Sequence, residues 1–94
     1  MAVARVVLFD GVDADRVAQL RQEMSENDPP EGLNATELIM LSNPETEQAL
    51  AIVFFDNDDD YRAGDAILSA MPTGDTPGRR TSVAKYNVAL RMTA

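Results

Sequence analysis

The sequence predicts an α+β fold of ferredoxin-like type, with β-α-β-β-α-β order, a four-stranded antiparallel sheet and a single domain over residues 1–94. Three observations lead there. Apolar runs of strand length alternate with stretches of helical periodicity in that order, breaker clusters separate them, and no composition shift marks a second domain. At 94 residues the chain buries only about two-thirds of the surface its unfolded form exposes, so covering further surface matters to its stability.

The first strand, Val3 to Phe9, is apolar at both parities: Val3, Val7 and Phe9 on one side, Ala4, Val6 and Leu8 on the other, with Arg5 the sole polar break. Such a strand is covered on both faces. Asp10-Gly11 ends it, and Asp13 caps a helix running to about Ser25, with Asp15 in its first turn. Val17, Leu20 and Met24 form a narrow apolar stripe on that helix, opposite Arg16, Gln19 and Glu23. Breakers at Asn27-Asp28-Pro29-Pro30 and Glu31-Gly32 make Ser25 to Asn34 a surface loop.

Thr36 to Ser42 and Gln48 to Phe55 read as a hairpin around Asn43-Pro44-Glu45-Thr46. The third strand is again apolar on both sides, through Ala49, Ala51, Val53 and Phe55 and through Leu50, Ile52 and Phe54. Asp56 to Asp60 opens a second helix with Gly64, Ile67, Leu68 and Met71 along one side and Tyr61 at the edge. A glycine inside a helix costs about 1 kcal/mol against alanine, so Gly64 implies close packing on the sheet. Pro72 to Gly78 is a turn-rich segment. The last strand, Ser82 to Met92, alternates Tyr86, Val88, Leu90 and Met92 with Lys85, Asn87, Ala89 and Arg91.

Two helices cover one face of a four-stranded sheet, yet the first and third strands read as buried on both. An identical sheet from a second copy covers the other face most economically, which makes a homodimer the expectation and a monomer with a curled sheet the alternative.

Composition excludes several chemistries. The formal net charge is −8, and a field of that sign repels nucleic-acid backbones and anionic lipid surfaces. Cysteine and histidine are both absent, which removes disulfides, thiolate catalysis and the commonest general base and metal ligand. No metal site or cofactor is expected. No apolar run approaches the roughly 18 residues of a membrane-spanning helix, and a cytoplasmic location is the expectation.

Few constellations point to function. Asp56-Asn57-Asp58-Asp59-Asp60 resembles the opening of a calcium loop, but Tyr61 and Ile67 stand where that loop needs Gly and Glu, so helix capping is the reading. Gly74 to Thr81 has glycines and the basic pair Arg79-Arg80 without the spacing of a phosphate loop; it is an anion-binding edge or a solvated loop with locally paired arginines. Arg79-Arg80-Thr81-Ser82 also has the form of a basophilic kinase site, and Asn34-Ala35-Thr36 that of a glycosylation sequon. Tyr61, Tyr86, Asn87, Lys85, Arg5 and Arg91 are polar or amphipathic side chains on otherwise apolar elements and could orient a ligand; Tyr61 and Tyr86 are otherwise core residues with a wet hydroxyl, and Asn87 either lines a cavity or faces water.

The element order, the Phe54-Phe55-Asp56-Asn57-Asp58-Asp59-Asp60 passage and the closing Arg79-Arg80-Thr81-Ser82-Val83-Ala84-Lys85-Tyr86-Asn87-Val88 together resemble the dimeric α+β barrel superfamily, and within it antibiotic biosynthesis monooxygenase-like domains. The resemblance implies two ferredoxin-like sheets paired into a barrel, with a small hydrophobic or aromatic molecule as ligand. It implies no haem chemistry here, since the His and Trp that haem-degrading members carry are missing. For a cofactor-free oxygenase it implies a substrate that supplies its own carbanion, with orientation and anion stabilisation from Arg79, Arg80 or Tyr86, while Tyr61, Arg79, Arg80, Tyr86 and Asn87 together are the candidate ligand-binding residues. The alternative is a structural or regulatory module that uses the fold to dimerise.

Overall fold

A computed structural model describes residues 2–26, 30–71 and 76–93. The elements are β1 (Val3–Asp10), α1 (Ala14–Glu26), β2 (Glu37–Asn43), β3 (Gln48–Phe55), α2 (Asp58–Ser69) and β4 (Arg79–Asn87). The strands form one antiparallel sheet in the order β2-β3-β1-β4, so the fold is ferredoxin-like α+β. Parts of the expected loops, residues 27–29 and 72–75, lie outside the described residues.

Local chemistry sets the boundaries. Asp13 accepts the Arg16 backbone N–H at 2.8 Å and so caps α1. Asn57 takes the same role for α2, accepting from the Asp60 backbone N–H at 2.8 Å, while Asp58, Asp59 and Asp60 fill the first turn and favour the positive end of the helix. The acidic run is thus a helix start. In the β2–β3 hairpin the Asn43 side chain accepts the Glu45 N–H, and Glu47 takes a left-handed φ of 55° that turns its carbonyl onto the Val12 N–H at 2.7 Å.

Both helices lie on one face of the sheet. Register puts Val3, Arg5, Val7 and Phe9 of β1 on that face, opposite Phe55, Val53, Ala51 and Ala49 of β3. Two clusters fill the space beneath the helices. Val3, Val53, Phe55 and Tyr61 meet under α2, and Val7, Phe9, Val12 and Ala49 meet under the start of α1, where Val17 packs on them. Gly64 lets α2 approach: a Cβ there would overlap the Phe55 ring and press on Leu33, which explains a helix-interior glycine.

The last strand departs from the sequence reading. It runs Arg79–Asn87 rather than Ser82 to Met92, so Arg79 and Arg80 are strand residues and not part of a loop. The physical reason is its partner. β4 pairs only with β1, from Asp10↔Arg79 to Val3↔Asn87, with a bulge opposite Leu8/Phe9, and the last backbone bond runs from the Val88 N–H to the Ala2 carbonyl at 2.9 Å. β1 starts at Val3, and among the described residues the apolar alternation through Leu90 and Met92 continues without a ladder. Those two side chains are 79% and 84% exposed.

No helix among the described residues is long and apolar enough to cross a membrane.

Candidate functional site: the open sheet face and the flanking groove

The face of the sheet turned away from the helices follows from the same registers. Ala4, Val6 and Leu8 of β1 stand level with Phe54, Ile52 and Leu50 of β3, and Ile39 and Leu41 of β2 extend the layer. Ala84 and Tyr86 of β4 close it at the other edge, opposite Val6 and Ala4. Val6, Leu8, Ile39, Leu50, Ile52 and Phe54 are half-buried by their neighbours alone, whereas Leu41 and Tyr86 are 51% and 59% exposed. Four strands about 4.8 Å apart and eight residues long at about 3.3 Å each give a face of roughly 500 Å² in projection. That is at the upper end of the apolar patches soluble monomers expose.

Charge is confined to the ends of this face and is paired there. At one end Arg79 meets Asp10 at 3.2 Å, with Gln48 also donating to Asp10 at 2.9 Å. At the other, the Arg91 guanidinium stands 4.5 Å from the Phe54 ring centroid and 3.5 Å from Glu37. The acids of the α2 start, Asp58, Asp59 and Asp60, belong to the helix layer instead.

The five residues singled out from sequence do not gather at one point. Tyr61 lies in the helix layer, buried edge-on against Phe55 at 5.8 Å, with Lys85 Nζ 5.3 Å from its ring; burial, then the nearby Asp65 carboxylate, raises its phenol above the ordinary range. Arg80 also points to the helix layer, where it donates to the Leu68 carbonyl at 3.3 Å and supplies the positive charge that the last turn of α2 lacks. Asn87 has the parity of that layer, opposite Val3, and is exposed. Arg79 stands at the sheet's edge on Asp10. Tyr86 alone projects from the open face.

Arg5, which the sequence marks as a polar side chain on an otherwise apolar strand, is held within the fold. It is 4% exposed, and its guanidinium donates to Asp65 at 2.9 Å and Ser69 at 3.3 Å of α2, tying the central strand to the helix. Among the described residues no cluster of three or more potential metal ligands occurs.

A second hollow lies on the helix side, between α1 and the edge strand β2. Val17, Leu20, Met24 and Met40 form its walls and Arg21 and Ser42 its rim, around a volume of about 130 Å³. A shallower lobe of about 230 Å³ continues it toward Ala14, Ala18 and Pro44.

The ion pairs impose a pH dependence. Hydrogen bonds from Gln48 and Arg79 hold the Asp10 carboxyl below its ordinary 3.8, and the Lys85 ammonium does the same for Asp58. A carboxyl whose folded pKa is depressed stabilises the fold at pH above its unfolded pKa and loses that contribution as pH falls through the folded value. The urea midpoint of the wild type is therefore expected to fall further between pH 6 and pH 3 than that of the Asp10→Asn/Asp58→Asn double variant; equal falls would show that neither pair contributes.

No protein-family model matches the chain, and no curated protein resembles it.

Proposed function

We propose that the chain works as a cytoplasmic homodimer, in which the open faces of two sheets pack into an α+β barrel that takes up a small hydrophobic or aromatic molecule. The observation that carries this reading is the open face itself, apolar through β1, β3 and the middle of β2, with Ala84 and Tyr86 beside Ser82 at the β4 edge. A partner of opposite charge would be drawn to the acidic surface of a chain with net charge −8, whereas this face carries only paired charges at its ends. A second copy brings the same neutral, apolar surface, and the repelling acids of the α2 start stay in the outer layer.

A non-catalytic dimerisation module is the second reading, and the separation of the candidate polar groups favours it. Tyr61, Arg80 and Asn87 have helix-layer parity, so Tyr86 and the edge residue Arg79 are the groups left to orient a substrate between the sheets. Native mass spectrometry of the purified protein separates the two. A dimer retaining an apolar small molecule supports the ligand-binding barrel, while a dimer with no added mass, and no oxygen consumption with aromatic polyketide-like phenols, supports the module.

A further inference from the structure

We propose that the groove between α1 and β2 is a binding site for an amphipathic carboxylate: one alkyl chain or aryl ring bearing a single carboxylate. The site is separate from the open face. Met40 and Ser42 stand level with Ala51 and Ala49, the helix-side residues of β3, so the groove opens on the opposite side of the sheet.

Arg21 stands apart from the other cations. The protein has eight basic side chains against sixteen acidic ones. Seven of the eight hold an ion pair or a hydrogen bond among the described residues. Arg21 is the exception among those residues. Its helix neighbours three and four positions away are Ala18, Val17, Met24 and Ser25, none of them acidic, so α1 offers it no intrahelical ion pair. In so acidic a chain, a guanidinium with neither an acid nor a carbonyl on it among the described residues is an unmatched feature, and this one lines an apolar hollow.

The hollow supplies the other half of the recognition. Val17 and Leu20 offer a fixed aliphatic wall, and Met24 and Met40 offer two flexible thioethers that mould to a chain or a ring. Its volume of about 130 Å³ is close to the roughly 150 Å³ of a protein cavity known to admit benzene. The lobe toward Pro44 has room for a longer chain. An apolar hollow with one or two placed polar groups is the usual form of a small-molecule site.

The anion is specified by the same residues. A guanidinium fork matches the two oxygens of a carboxylate, and the Ser42 hydroxyl can donate to one of them. One cation neutralises one charge. A phosphate dianion would keep excess negative charge against a protein of net charge −8, which disfavours it.

Titration of the full chain with octanoate, followed by amide and methyl NMR shifts, tests the site. Saturable shifts are expected at Val17, Met24 and Met40, with 3-phenylpropionate on the same residues telling whether aryl tails fit as well as alkyl ones. Octanol is expected to bind about tenfold more weakly or worse, and Arg21→Gln to weaken octanoate by a similar factor while leaving octanol unchanged. Arg21 is exposed, so the variant keeps the fold. Octanol binding as tightly as octanoate, an unaffected Arg21→Gln, or no saturable shift at all would overturn the proposal. Shifts confined to Leu50, Ile52 and Phe54 would also overturn it, while supporting a ligand between the sheets.

Discussion

Phe55→Ala is expected to lower the unfolding free energy by about 3–5 kcal/mol, a large part of the roughly 5–15 kcal/mol that holds a domain of this size. Phe55 is 0% exposed and is the largest fully buried side chain. It ends β3, packs with Val3 and Val53 within the sheet, meets Tyr61 edge-on, and fills the place that Gly64 leaves in α2. Removing its ring strips contacts from both layers at once, and the sheet cannot collapse because β3 is hydrogen-bonded on both sides. A fall in Tm of at least about 12 °C follows for a chain of this length, read by circular dichroism at fixed protein concentration. The coupling is also specific. Gly64→Ala destabilises the wild type by forcing a Cβ against the ring, and in the Phe55→Ala background the same change enters vacated space. A double-mutant cycle with no coupling between these positions would contradict the packing described.

Ile52→Asp is expected to abolish dimerisation while leaving the monomer folded. Ile52 occupies the middle of the open face, level with Val6 on one side and Ile39 on the other. In a single copy it is half-buried, so a carboxylate there reaches water. Between two packed sheets it has no cation nearby, because the arginines of this face stand at its ends with partners of their own. An unpaired buried charge costs several kcal/mol, and two-fold symmetry introduces it twice, so the dissociation constant rises by at least about a thousandfold. Circular dichroism separates this from misfolding: an unchanged spectrum with a halved mass is the expected pair of results. Glu37→Gln, at the end of the same face, has a much smaller effect, since it only weakens a half-exposed ion pair with Arg91.

Much of this organisation is legible in the sequence, for reasons that differ by element. β3 runs Gln48–Phe55 as read, because breakers flank it and its apolar run is unbroken. The helix starts are legible because Asp13 and Asn57 carry their own capping chemistry within three residues. β4 is not, because its ends are set by the length of β1 and by a bulge, neither of which its own alternation encodes. The scatter of the candidate site residues was partly legible too. Tyr86 and Asn87 are adjacent in a strand, and period-two geometry sends neighbouring side chains to opposite faces. That Arg21 is left without a partner among the described residues is not legible in the sequence, since it depends on which groups the other cations hold, and those pairs span up to 69 positions in the chain, as Asp10 and Arg79 do.

We propose that a second copy covers the open face. Light scattering on the eluting wild-type protein at micromolar concentration tests it most directly. A mass of twice 10.2 kDa is expected for the wild type and of 10.2 kDa for Ile52→Asp. A wild-type protein that elutes at 10.2 kDa across that concentration range contradicts it.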